Sequence, residues 1–120
     1  MPRGIAVNSK GLIVVADYDR HCVLIFDKEG KYLRKFGCGG GNAGQFNHPT
    51  GVTYLNDDLI LVADQCNHRI QQFNVHTGNF VKAFGKEGSG EGELCCPDGV
   101  CMDGEGRVAV ADWRDRKSVV

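Results

Sequence analysis

Gly51 to Phe73, GVTYLNDDLILVADQCNHRIQQF, decides the fold, because its pattern recurs on both sides of it. It reads as a short apolar run from Gly51 to Tyr54, a turn at Asn56-Asp57-Asp58, and a second apolar run from Leu59 to Ala63. Asp64, a polar loop and a third run from Ile70 to Phe73 follow. Runs of this length, rich in β-branched residues and separated by turn residues, predict strands joined by tight connections. Gly4 to Asp17 (GIAVNSKGLIVVAD) and Gly99 to Asp112 (GVCMDGEGRVAVAD) match Gly51 to Asp64 in length, and all three close on Ala-Asp. The closing aspartates are 47 and 48 residues apart, so the chain is a repeat array.

Working outward, the first repeat adds a third strand from Cys22 to Phe26, a turn at Asp27 to Gly30 and a fourth strand from Lys31 to Phe36. The glycine at the end of that turn suits a left-handed position. A glycine-rich connector, Gly37 to His48, holds one apolar candidate for burial, Phe46, before Pro49 restarts the cycle. The second repeat has its fourth strand from Asn79 to Phe84 and a connector of equal length, Gly85 to Cys96, with Leu94 in the place of Phe46. The third gives strands at Val100 to Asp103 and Arg107 to Asp112 and stops within its third at Val120. The resulting division is 1–48, 49–96 and 97–120, with no helix expected.

The bulk composition agrees with a soluble globular chain: 120 residues, 42% apolar, net charge −1. No apolar stretch has the length of a membrane span, and the start Met-Pro-Arg-Gly-Ile-Ala-Val lacks the apolar core of a secretory signal, so a cytoplasmic location and no membrane partner are expected. Fourteen basic and fifteen acidic side chains produce no overall field to attract nucleic acid, although a local patch is compatible with that balance. The six cysteines resemble a disulfide framework until they are laid on the repeat. Cys22 then falls at the position of Arg69, Cys38 at Lys86, Cys66 at Asp19 and Cys101 at Thr53, and no two share a register. There is no Cys-x-x-Cys either, so free thiols are expected rather than bridges or structural zinc.

A unit of this length holding four short antiparallel strands is the mark of a β-propeller blade. More specifically, Asn67-His68-Arg69-Ile70 after Val62-Ala63-Asp64, followed by Phe73, Phe84-Gly85, the glycine connector and the Pro-x-Gly-Val restart, resembles the NHL repeat family. The first repeat places Arg20-His21-Cys22-Val23 at the Asn-His-Arg-Ile positions, and the third places Asp115-Arg116-Lys117-Ser118 there. The resemblance implies an all-β fold made of about two and a half four-stranded antiparallel NHL blades, part of a six-bladed propeller. Closure of a ring takes roughly four to eight blades, so the chain is expected to be a fragment or, less simply, one of several copies that complete a ring.

In such a meander the loops alternate between the two ends of each blade. The loops after each Ala-Asp therefore share one rim with the connectors, and the turns at Asn8, Asn56 and Asp103 share the other. On the first rim Tyr18, Gln65 and Trp113 occupy one varying register, with Arg20, Asn67 and Asp115 two positions on. Aromatic and arginine side chains anchor protein interfaces and stack on exposed bases. The candidate binding residues are Tyr18, Arg20, His21, Gln65, Asn67, His68, Arg69, Trp113, Arg114 and Arg116. The plain alternative is that they are solvated loop residues or pack on the next blade.

The repeated Asp17, Asp64 and Asp112 are expected to accept backbone N–H groups of the following turn rather than to act as catalytic or calcium-binding carboxylates. His21 and His68 are equivalent and are expected to buttress their own loops, not to join a metal site. Gly39 to Gly44 formally fits G-x-G-x-x-G, but the fingerprint needs a following helix, and Gln45-Phe46-Asn47-His48-Pro49 begins another strand. No catalytic residue, cofactor, metal or small-molecule substrate is predicted. The expected function is macromolecular recognition, with a protein partner favoured over RNA because the near-neutral charge weakens the electrostatic attraction RNA binding relies on. The resemblance further implies the substrate-selecting propeller of a tripartite-motif ubiquitin ligase, whose separate RING domain would hold the ligase chemistry. A fragment of a metal-dependent propeller lyase or lactonase is the enzyme alternative.

Overall fold

The computed structural model describes residues 1–88, 90, 93–112 and, by backbone alone, 117–119. Within them the chain forms three sheets. The first runs in the order β1 (Pro2–Val7), β2 (Ile13–Asp17), β3 (Cys22–Phe26) and β4 (Tyr32–Phe36). The second repeats it with β5 (Pro49–Tyr54), β6 (Leu59–Asp64), β7 (Arg69–Asn74) and β8 (Phe80–Phe84). The third holds β9 (Pro97–Met102), β10 (Val108–Asp112) and β11 (Lys117–Val119). All neighbours are antiparallel and consecutive, so each sheet is a meander. No α-helix occurs among the described residues, but one turn of 3₁₀ helix, Gln65–Asn67, stands where a loop was expected.

The first strand of each sheet begins earlier than the apolar run suggests, at Pro2, Pro49 and Pro97. Each proline opposes the closing aspartate of the same sheet: Pro2 faces Asp17, Pro49 faces Asp64 and Pro97 faces Asp112. A residue without an N–H can start a strand but not sit inside a ladder, so the restart prolines are the strand ends themselves.

The sheets pack face to face. Val14, Ala16, Val23 and Ile25 of the first meet Val52, Ile60, Val62 and Phe73 of the second in one buried cluster. Leu61, Ala63 and Ile70 of the second meet Val110 of the third in another. The connectors seal both: Phe46 is buried in the first cluster and Leu94 in the second. Burial of one such side chain contributes about 1.5–3 kcal/mol. The period of two along each strand sends alternate residues to opposite neighbours, which is why Phe73 and Ile70 of one strand serve different clusters.

The restart glycines set the spacing. A Cβ on Gly4 would lie 2.4 Å from the carbonyl oxygen of Thr50, and one on Gly51 would lie 2.5 Å from that of Asp98. Both are well inside contact distance, so β1 and β5, and β5 and β9, approach too closely for any side chain. The equivalent Gly99 meets only Ala111 Cβ, at 3.8 Å. Correspondingly, Cys101 and Ala111 on that face are exposed, as are Ile5 and Val7 on the face of the first sheet turned away from the second.

Candidate functional site

The rim that carries the loops after Ala-Asp is built on buried carboxylates. Asp64 is fully buried and accepts the N–H of Asn47 at 2.7 Å, Nδ2 of Asn67 at 2.9 Å, Nε of Arg69 at 2.9 Å and Nε2 of Gln71 at 3.1 Å. Asp112 accepts the N–H groups of Cys95 and Cys96 at 2.6 and 3.0 Å. The expected partner in the following turn is present at Asp17, which accepts the N–H of Arg20 at 3.2 Å, whereas the backbone N–H that Asp64 accepts comes from the connector entering its own sheet; Asp112 holds its connector in the same way, and the turn after it lies outside the described residues. The reason lies in the early strand start: Pro49 opposes Asp64, which brings the N–H two residues before it within reach of the carboxylate. At Asp17 burial pushes the carboxyl up, but the amino terminus and the Arg20 N–H outweigh it and hold the group below the usual carboxylate range.

Arg69 completes the latch. Its guanidinium donates to the carbonyls of Gly41, Asn42 and Gln45 at 2.9–3.1 Å, and its side chain is 15% exposed. Asn67 Nδ2 donates to the Gly40 carbonyl at 2.8 Å. The glycine connector thus meets side chains through its carbonyls and through N–H groups alike, with the Gly44 N–H donating to Gln71 Oε1 at 3.0 Å. Gly40 has a φ of 151°, and a Cβ there would run into the Gln45 side chain.

The histidines also reach further than their own loops. His21, His48 and His68 have φ of 54°, 62° and 57°, a left-handed conformation that histidine tolerates better than most residues. His21 Nδ1 accepts the N–H of His48 at 3.0 Å, and His68 Nδ1 donates to the Cys95 carbonyl. Each therefore buttresses the connector entering the next sheet. Nδ1 is thus an acceptor in one ring and a donor in the equivalent ring of the next sheet.

On this support stands one ring cluster. Tyr18 packs 4.5 Å from the His48 ring, His48 lies 4.6 Å from the His21 ring, and the Arg3 guanidinium sits 4.2 Å over Tyr18. Arg20 is exposed beside it, and Tyr18 and His21 are half-buried. In the second sheet Gln65 is buried in the 3₁₀ turn, with its N–H on the His48 carbonyl, while Asn67, His68 and Arg69 are half-buried and engaged as described. Trp113, Arg114 and Arg116 lie outside the described residues. Neither Arg3 nor His48 stood among the expected binding residues. Their signal was positional: Arg3 precedes the restart glycine, and His48 ends a connector assigned to this rim.

Cys22, Cys38, Cys66, Cys96 and Cys101 are free thiols, and burial pushes those of Cys22 and Cys66 up. Among the described residues no group of three His, Cys, Asp or Glu side chains is placed to hold a metal ion, and no helix is long and apolar enough to cross a membrane.

The sequence matches a model described as NHL repeat over residues 1–26 and 46–73. It is 34% identical over 121 residues to Protein brain tumor of Drosophila melanogaster, covering 99% of this chain and 11% of that protein. It is 35% identical over 121 residues to B-box type zinc finger protein ncl-1 of Caenorhabditis elegans, covering 99% of this chain and 14% of that protein. The chain therefore spans between a tenth and a seventh of the length of these relatives. Among solved structures, virginiamycin B lyase from Staphylococcus aureus superposes with a TM-score of 0.67 at 15% identity, over 92% of this chain and 34% of the other, which is a likeness of fold alone.

Proposed function

The chain belongs to the NHL repeat family, and from that premise we propose that it is a non-catalytic recognition segment whose connector rim binds a protein partner. The observation that carries this reading is the cluster of Arg3, Tyr18, His48 and His21. Its rings are fixed by packing and by the His21 to His48 hydrogen bond, so little side-chain freedom is lost on binding. Arg20, exposed beside it, supplies donors for a partner's acceptors. Asn67 and Arg69 hold the connector in shape and present its outer surface. His68 and, by their register in the sequence, Trp113, Arg114 and Arg116 extend the proposed face, while the buried Gln65 supports it through its N–H on the His48 carbonyl. Within a full-length protein of tripartite-motif type, this segment would select the substrate for a ligase domain elsewhere in the chain, in the cytoplasm.

The test uses the full-length protein with Tyr18→Ala and Arg20→Ala together, checked for unchanged thermal stability. Truncating two anchors at a shared patch is expected to weaken capture of the wild-type partners by roughly 30-fold, the scale of a 2 kcal/mol interface anchor. An unchanged partner set would overturn the reading. The same cluster of rings and arginines also favours a second reading, binding of single-stranded RNA. That version predicts affinity that falls steeply between low and physiological salt and collapses with Tyr18→Ala; no affinity for RNA at low salt removes it.

A further inference from the structure

On the opposite rim, between the first and second sheets, lies a cavity of about 470 Å³. Lys10 from the turn after β1, Lys28 from the turn after β3, Arg34 from β4 and His76 from the turn after β7 all line it. Its walls include Leu12 and Leu33, and its one lining carboxylate is Asp27. Its Oδ1 accepts the N–H groups of Glu29 and Lys31 at 2.9 Å each. His76 Nε2 lies 2.8 Å from Asp58.

Arg34 is the anomaly. It donates from Nη2 to the Val75 carbonyl at 3.0 Å, while its Nε is buried with no hydrogen-bond partner. It is the only buried side-chain nitrogen or oxygen so stranded among the described residues. A buried donor left unpaired is costly, and a guanidinium offers a fork of donors matched to an oxyanion. Every lining residue belongs to the first two sheets, so the cavity is complete without any further repeat.

We propose that this cavity binds the phosphate monoester of a phosphorylated peptide. Three cationic side chains against one carboxylate leave a formal charge of +2, which matches a phosphate dianion better than a carboxylate. A peptide is the fitting carrier because β4 ends its sheet, so one side of its backbone has no strand partner among the described residues. Tyr32 and Leu33 on that strand are 51% and 42% exposed. An extended segment can pair with that edge while its phosphate reaches Arg34, with the apolar walls taking flanking side chains. This inference is independent of what binds the connector rim.

The experiment measures retention of the full-length protein on an immobilised degenerate phosphoserine peptide pool against the unphosphorylated pool, with inorganic phosphate as competitor. Binding to the phosphorylated pool is expected to be at least about tenfold stronger, to be competed by phosphate, and to fall about tenfold or more with Arg34→Gln. The pair Lys10→Gln and Lys28→Gln should give a similar fall. Both lysines are exposed, so that variant guards against a folding defect in Arg34→Gln. Arg20→Gln on the other rim should leave retention unchanged. Equal retention on both pools overturns the proposal, and so does binding that survives the lysine pair. Protection of the cavity by inorganic phosphate without retention on the peptide pool would overturn the peptide assignment.

Discussion

Asp64→Ala is expected to destabilise the fold by about 3–5 kcal/mol, the scale of removing one partner from a buried ion pair. The carboxylate is fully buried and gathers four donors from three places in the chain: Asn47 in the connector, Asn67 at the end of the 3₁₀ turn, and Arg69 and Gln71 on β7. Alanine leaves the guanidinium of Arg69 with backbone carbonyls alone and strands the Asn47 N–H, while the Gln71 amide keeps the Gln45 carbonyl and the Gly44 N–H. Asp64→Asn keeps one acceptor but turns an amide N–H₂ toward donors, so it should cost less, about 1–3 kcal/mol. Urea denaturation of the full-length protein gives both values. Amide exchange in residues 40–47 should quicken first, because the latch holds that segment. A cost for Asp64→Ala below 1 kcal/mol would show that the connector holds itself.

Phe73→Ala is the second large effect, expected at about 3–5 kcal/mol from lost transfer energy and the cavity left behind. Phe73 is fully buried, with ring centroids 5.0 Å from Phe36, 5.4 Å from Phe46 and 6.0 Å from Phe80. Phe36 comes from the first sheet, Phe46 from the connector and Phe80 from the second sheet, so one side chain ties three elements. Its deletion should uncouple the first two sheets, seen as a lower and broader thermal transition. Phe73→Leu refills most of the volume and should recover more than half of the loss. If Phe73→Ala unfolds at the wild-type midpoint, the first two sheets do not depend on this contact.

The three sheets were legible in the sequence because strand period and repeat length are local signals. Gly4-Ile5-Ala6-Val7 and its copies show alternation, and the closing Ala-Asp fixes the phase. The burial of Phe46 and Leu94 followed from their being the large apolar residues of two polar connectors. The partners of the aspartates were not legible. Asp64 meets an N–H seventeen residues earlier, and which turn approaches a strand end depends on where that strand begins. The early start at Pro49 was hidden because proline usually marks a break rather than a first ladder residue.

The role of Arg69 was obscured for a related reason. Its spacing after Asp64 places it on the rim, but the fold of the connector turns its guanidinium onto the carbonyls of Gly41, Asn42 and Gln45 instead of outward. Gln71 gave a signal that was available: a polar residue at the register of Leu24, in a strand that is otherwise buried, must find a partner. It finds Asp64 and the Gln45 carbonyl. The left-handed histidines had no sequence signal beyond histidine's tolerance for that conformation. Without them the ring cluster of Tyr18, His48 and His21 cannot be assembled from spacing alone.

The stacking of successive sheets is tested most directly by proton contacts between their restart glycines. Nuclear Overhauser spectra should connect the α-protons of Gly4 with those of Gly51, and those of Gly51 with those of Gly99, because a Cβ built on either first partner would lie 2.9–3.1 Å from the next glycine's Cα. Observation of both contacts is the predicted result; their absence in a folded, fully assigned protein would contradict it and remove the rim on which the proposed recognition rests.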